Sequence, residues 1–188
     1  MTKGFIGGGL DFSPHSRTMP ALDSELARAR ALLALPAGAT LPLGVGFLTF
    51  KPANFLDAVA PALAAHRPAA VWLFAPAERG HHARVIPALK AAGEPWGLRV
   101  FVMVGTVQAA REAVADGADV LVAQGTDAGG HQWARGASVV SLVPEIVDML
   151  AAERVGREVP VVAAGGIVDG RGVAAALALG RLGCGRVV

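Results

Sequence analysis

Cysteine is nearly absent from this 188-residue chain. The single thiol, Cys184, excludes an internal disulfide and points to a reducing, cytoplasmic setting. Charge is scarce too. Charged residues make up 17%, and 17 basic against 15 acidic side chains leave a formal net charge of +2. The two signs are interspersed, with no basic stripe and no clustering with aromatics, so nucleic acid is not an expected partner. Long apolar runs are also missing. No stretch of about 18 residues is free of Gly, Pro and charge, so no transmembrane helix and no membrane partner are expected. The apolar run inside MTKGFIGGGLDF is too short for a signal h-region. Metal-ligand spacing is lacking as well. Adjacent His81 and His82 point apart on a helix, and no carboxylate–histidine spacing completes a site, so no metal is expected.

What the chain has is apolar residues, 53% of the total, in short runs of Ala, Val and Leu. That pattern suits a parallel sheet covered on both faces. It predicts strands at 4–9, 41–48, 69–75, 98–104, 119–123 and 159–164. Between and after them it predicts helices at 21–35, 53–65, 83–92, 107–116, 142–152 and 171–179. In the first helix Leu22, Leu26, Ala29 and Leu33 share a face, and Pro36 and Gly38 end it. Pro61 falls inside the second helix, and Pro87 is expected near the first turn of the third. Gly117 is the expected C-terminal cap of the fourth. Ser141 and Asp169 are the expected N-caps of the fifth and sixth. A β-α period of about 25–35 residues argues an array of βα units with parallel strands. The closing GCGRVV reads as the start of a seventh strand. No linker or shift in composition divides the chain, so it reads as a single α/β domain over 1–188.

In such arrays chemistry collects where the strands end. Four strand ends carry glycine: Gly7 to Gly9, Gly44 and Gly46, Gly129 and Gly130, Gly165 and Gly166. Glycine lets backbone N–H groups approach a phosphate or a flat ring, though the same pairs also make plain tight turns. Gly165-Gly166 before a helix has the form of the first half of a phosphate site. The densest stretch is Gln124-Gly125-Thr126-Asp127-Ala128-Gly129-Gly130-His131, entered from the apolar strand VLVA. It nominates Gln124 as a fixed polar contact and His131 as the reactive group. The plainer alternative for His131 is a loop histidine with no special role. Asp127 reads as a turn residue, His81-His82 as a solvated helix start, Trp72-Leu73-Phe74 as core and Cys184 as a packing side chain.

The stretches GFIGGG, LGVGF, VMVGT, AQGTDAGGH and VVAAGGIVDGRGVAAALALG, in this order, resemble the nitronate monooxygenases, formerly called 2-nitropropane dioxygenases. The pairing of the AQGTDAGGH and AAGGI motifs is the specific part. The resemblance implies a TIM barrel holding non-covalent FMN. It also implies oxidation of an alkyl nitronate by O2 to a carbonyl compound and nitrite, so a small nitronate and O2 are the expected partners. Carried over by position, His131 matches the catalytic histidine, the general base, and Gln124 matches a glutamine on the flavin. Gly129 and Gly130 match loop glycines beside the cofactor. Gly165 and Gly166 match the glycines whose N–H groups hold the FMN phosphate, and Gly8 and Gly9 lie at a strand end near the site. The FMN-dependent enoyl-acyl-carrier-protein reductases share the GGH loop, which makes NAD(P)H-dependent enoyl-thioester reduction the alternative. Three departures stand out. The family begins with a further strand bearing a Pro-Met pair, ends with a Gly-Thr loop, and commonly has asparagine where this chain has Gly46. The chain therefore reads as an incomplete barrel, strands two to seven, lacking the first strand and most of the last. An inactive remnant with weak or no FMN binding is the third reading.

Overall fold

Strands alternate with α-helices in the computed structural model, which describes residues 4–51, 54–153, 155 and 158–180. The strands are β1 (Phe5–Gly9), β2 (Leu41–Leu48), β3 (Pro68–Phe74), β4 (Arg99–Val104), β5 (Val120–Gln124) and β6 (Val161–Ala164). The helices are α1 (Thr18–Leu32), α2 (Phe55–His66), α3 (His81–Gly93), α4 (Val107–Ala115), α5 (Val139–Ala152) and α6 (Gly170–Leu179). The architecture is α/β, a (β/α) array of TIM-barrel type. Every described strand pair is parallel. The chain divides into two compact units, residues 1–100 and 101–188. Cys184 and the expected seventh strand lie outside the described residues.

In the first unit β2 lies between β1 and β3, with Val45 opposite Ile6 on one side and Val71 on the other. Its core is apolar on both faces of the strands: Leu41, Val45, Val71 and Leu73 are fully buried. Phe12, Phe47 and Phe55 form an edge-to-face trio with centroids 4.8–6.0 Å apart. Each such pair adds about 0.5–1.5 kcal/mol beyond the area it buries. The pairing slips at Gly8, where a Cβ would run into the Phe47 ring and Val45. Packing within this unit therefore already requires a glycine at that position.

Helix boundaries differ from the sequence reading in instructive places. α1 starts at Thr18, so Pro20 lies in the first turn, where its missing N–H breaks no helical bond. It ends at Leu32, earlier than Pro36 suggests. Ala34, at φ +48, closes it with Ala34 N–H to Ala31 and Leu35 N–H to Arg30, the pattern of a left-handed helix stop. α2 runs unbroken through Pro61. α3 starts two residues before its expected position, which puts Pro87 in its interior rather than its first turn. Burial is the reason. His81 and His82 are both buried, not solvated, and Ile86 and Leu89 hold the middle of the helix in the core.

In the second unit β5 pairs with β4 and β6, Leu121 lying opposite Val102 and Val161. Four consecutive β5 residues, Leu121 to Gln124, are buried. Helix α5 packs Leu142, Val143, Ile146 and Val147 inward, each at most 2% exposed. Burying a Leu or Ile side chain fully contributes about 1.5–3 kcal/mol. Thr106 caps α4 by accepting from Ala109 N–H at 3.1 Å, and Gly117 follows that helix at φ +97 as expected. Asp169 caps α6 through Arg171 N–H at 2.9 Å.

Candidate active site

β5 is buried up to its last residue, Gln124, so the loop beyond it starts from a polar side chain held inside the core. The chain then turns over Gly125, whose missing Cβ leaves room for the Val139 backbone at the start of α5. The amide of Gln124 is itself buried. Its Nε2 donates to the His131 carbonyl at 3.0 Å, while its Oε1 has no hydrogen-bond partner. A buried acceptor left without a donor costs about 1–3 kcal/mol. The site thus holds one half-used amide beside the backbone of the histidine. The His131 residue is exposed.

The loop is tied back at several points. Thr126 N–H donates to Ala137 at 3.0 Å, and Ala128 N–H to Gly125 at 3.1 Å. Gln132 Nε2 donates to the Ala128 carbonyl. Asp127 Oδ2 accepts from Ser138 Oγ and from Val139 N–H, both at 2.9 Å. The Val139 N–H, then the Ser138 hydroxyl, hold the Asp127 carboxyl below the usual carboxylate range. Helix α5 consequently begins at Val139 with Ser138 as its N-cap, one turn before the expected Ser141. Residues 139–141, ahead of the helix expected over 142–152, are helical because Asp127 supplies an acceptor from across the loop. Trp133 lies against Gly105 after β4, where a Cβ would come within 2.6 Å of the indole.

Beside this loop sits the turn after β6. Gly165 and Gly166 have φ values of +111 and +71, a region that favours glycine. A Cβ on Gly165 would meet Ala128 N at 2.9 Å, and one on Gly166 would meet Asp127 Cβ at 3.0 Å. Among the described residues, the N–H groups of this glycine pair donate to nothing. A cavity of about 460 Å³ opens here, lined by Gly129, Gly165 and Gly166 and by Val173, Ala176 and Leu177 of α6. Gly129 differs from Gly165 and Gly166: a Cβ there would meet nothing within 4 Å, and unlike Gly130, at φ +79, it does not sit at positive φ. Nothing in the chain's own packing asks for glycine at 129.

The structure therefore brings together Gln124 with His131 and the loop bearing Gly129 and Gly130 with Gly165 and Gly166, all within the second unit. Gly8 and Gly9 belong to the first unit and have local uses. Gly8 makes room for Phe47, and Gly9, at φ +87, makes room for Thr18. Sequence reasoning missed the clasp at Asp127 and the Trp133–Gly105 contact. The only signal for the first was an Asp eleven residues before a Ser that precedes an apolar run. Among the described residues no His, Cys, Asp and Glu cluster could hold a metal ion, and no helix is long and apolar enough to cross a membrane.

The fold is shared with solved structures. A mutant form of FabK from Thermotoga maritima superposes with a TM-score of 0.60 at 25% identity, over 97% of this chain and 60% of that one. A nitroalkane oxidase from Streptomyces ansochromogenes gives 0.53 at 24% identity, over 98% of this chain and 48% of that one. The family is defined by sequence. The nitronate monooxygenase family model matches residues 63–185. A nitronate monooxygenase of Neurospora crassa is 50% identical over 96% of this chain and 51% of its own length. The nitronate monooxygenase npaC of Metarhizium robertsii is 40% identical over 94% and 50%. The chain belongs to the nitronate monooxygenase family, whose members are oxidoreductases. It spans about half the length of the curated relatives it matches.

Proposed function

We propose that this chain carries the flavin-facing and base-bearing loops of an FMN-dependent nitronate monooxygenase, which oxidises alkyl nitronates with O2 to a carbonyl compound and nitrite. The observation that carries the reading is the half-used Gln124 amide. It is buried, it lacks a donor for Oε1, and it stands at the position that resembles the family's flavin glutamine. The rest of the site fits the same group. Gly165 and Gly166 offer backbone N–H groups for a phosphate, and Gly129 leaves open the space a flat ring needs. FMN, when bound, supplies the redox chemistry.

The chain's own residues do the remainder. Histidine is the side chain suited to taking a proton near neutral pH, and exposure leaves His131 accessible to a substrate. His131 removes the α-proton of a neutral nitroalkane and then, as imidazolium, faces the nitronate anion it has made. Gln124 fixes the backbone at that point through the His131 carbonyl. Replacing His131 with Ala is expected to lower turnover of a neutral nitroalkane by about 10²–10⁴-fold, while preformed nitronate, which needs no base, loses far less. Nitrite release measured on both substrates decides it, and equal losses would remove the base role.

A second reading is favoured by the FabK likeness, the higher of the two structural scores. It is NAD(P)H-dependent reduction of an enoyl thioester by the same flavin site. Oxidation of NADPH by the FMN-loaded protein in the absence of any nitro compound would support it.

A further inference from the structure

We infer that Asp127 is a positioning residue for His131: one carboxylate oxygen clasps the two ends of the loop that carries the histidine and sets that loop against the Gly165–Gly166 turn. The inference rests on the reading of His131 as a base. Asp127 Oδ2 takes the Ser138 hydroxyl and the Val139 N–H, each at 2.9 Å, from residues eleven and twelve positions further on. Residues 127–138 thus form a closed ring, and His131 lies on it. The Thr126–Ala137 bond at 3.0 Å runs beside the clasp. A simple helix cap does not account for this contact. Ser138 already caps α5 by accepting from Val140 N–H at 3.4 Å, so Asp127 adds a link from outside the helix. The same side chain lies against Gly166, where an added Cβ would sit 3.0 Å from Asp127 Cβ. One residue therefore touches the base-bearing loop, the α5 N-terminus and the turn that would hold a phosphate. Small misplacements of a catalytic group carry large rate penalties, so the clasp belongs to the function of the loop and not only to its stability.

Both bonds end on a single oxygen, which makes Asp127→Asn the conservative variant. The amide oxygen accepts the same two donors without the charge, and Asn equals Asp as a cap. Asp127→Ala removes the acceptor. Hydrogen exchange of residues 126–138, with no cofactor added, reads the clasp directly. The ratio of kcat/KM for a neutral nitroalkane to that for its preformed nitronate, in FMN-loaded protein, reads the placing of the base. Asp127→Ala is expected to speed exchange across the loop and to lower the ratio at least about tenfold; Asp127→Asn restores both. Exchange unchanged in Asp127→Ala overturns the clasp. Faster exchange with an unchanged ratio makes Asp127 a structural cap and overturns the positioning role. His131→Ala run in parallel separates the premises, because an unchanged ratio there removes the base reading itself and leaves the clasp judged by exchange alone. Should Asp127→Ala fail to fold, Ser138→Ala, which removes one of the two donors, is expected to shift both readouts the same way, and no shift in either overturns the inference.

Discussion

Protonating one buried histidine should unfold the first unit from the acid side. His82 Nε2 lies 2.9 Å from Thr49 Oγ1. That hydroxyl has a single proton, yet it also lies 3.0 Å from the Phe74 carbonyl and 3.1 Å from the Ala75 carbonyl. Carbonyls only accept, so the hydroxyl donates to them and His82 donates from Nε2. Together these groups tie the ends of β2 and β3 to the start of α3. Burial, and secondarily neighbouring His81, push the His82 pKa from 6.5 down to about 4. Between those values the unfolded chain holds a proton that the folded chain does not, so stability is complete above about pH 6.5 and falls as pH drops toward 4. At 1.36 kcal/mol per pH unit the full effect is about 3 kcal/mol. His82→Gln retains an N–H donor and does not titrate. Urea unfolding of parent and variant from pH 7.5 to 4 is the assay. The parent should lose about 3 kcal/mol more than the variant over that range. Parallel loss in the two proteins would refute the buried neutral histidine. His81, lowered chiefly by burial and then by Arg84 with Glu78 opposing, stays in both proteins and cancels.

Two further substitutions probe the site. Gln124→Leu removes the orphaned Oε1 together with one hydrogen bond, so without FMN the melting temperature should hold or rise, while the stabilisation that added FMN gives by linkage should shrink. A variant that keeps the full FMN-induced shift would take Gln124 off the cofactor. Gly166→Val places a β-branched residue at φ +71 with its Cβ 3.0 Å from Asp127. It should cost about 1–3 kcal/mol in denaturant unfolding, and a cost near zero would mean that the turn is looser than it stands.

Much of the fold is legible because its signals are local and repeated. Apolar runs such as Val120 to Ala123 between glycine-rich turns announce buried parallel strands, and Asp169 before a run of alanines announces a helix start. The half-used state of Gln124 is legible only as a type, an amide at a buried strand end. What the sequence conceals depends on partners distant along the chain. α5 starts at Val139 because a carboxylate twelve residues earlier accepts its N–H. His81 and His82 are buried with partners: His81 Nδ1 accepts from the Ala77 N–H at 3.3 Å, and His82 Nε2 meets Thr49 Oγ1, after β2, at 2.9 Å. Helix spacing alone said only that their side chains diverge. Gly8 and Gly129 look alike on paper, each in a glycine run at a strand end. Packing separates them: Phe47 fills the space over Gly8, and nothing fills it over Gly129.

That contrast supplies the most direct test of whether the loop cluster is a flavin site. FMN is titrated into the purified chain and into Gly129→Leu, following the quenching of flavin fluorescence, with melting recorded for both. Saturable one-to-one binding to the parent is expected. Gly129→Leu should fold with unchanged stability, because its side chain enters open space, and should bind FMN at least about a hundredfold more weakly, a loss of about 2.7 kcal/mol. No saturable binding to the parent, or equal binding to both proteins, would contradict a flavin site in this loop cluster.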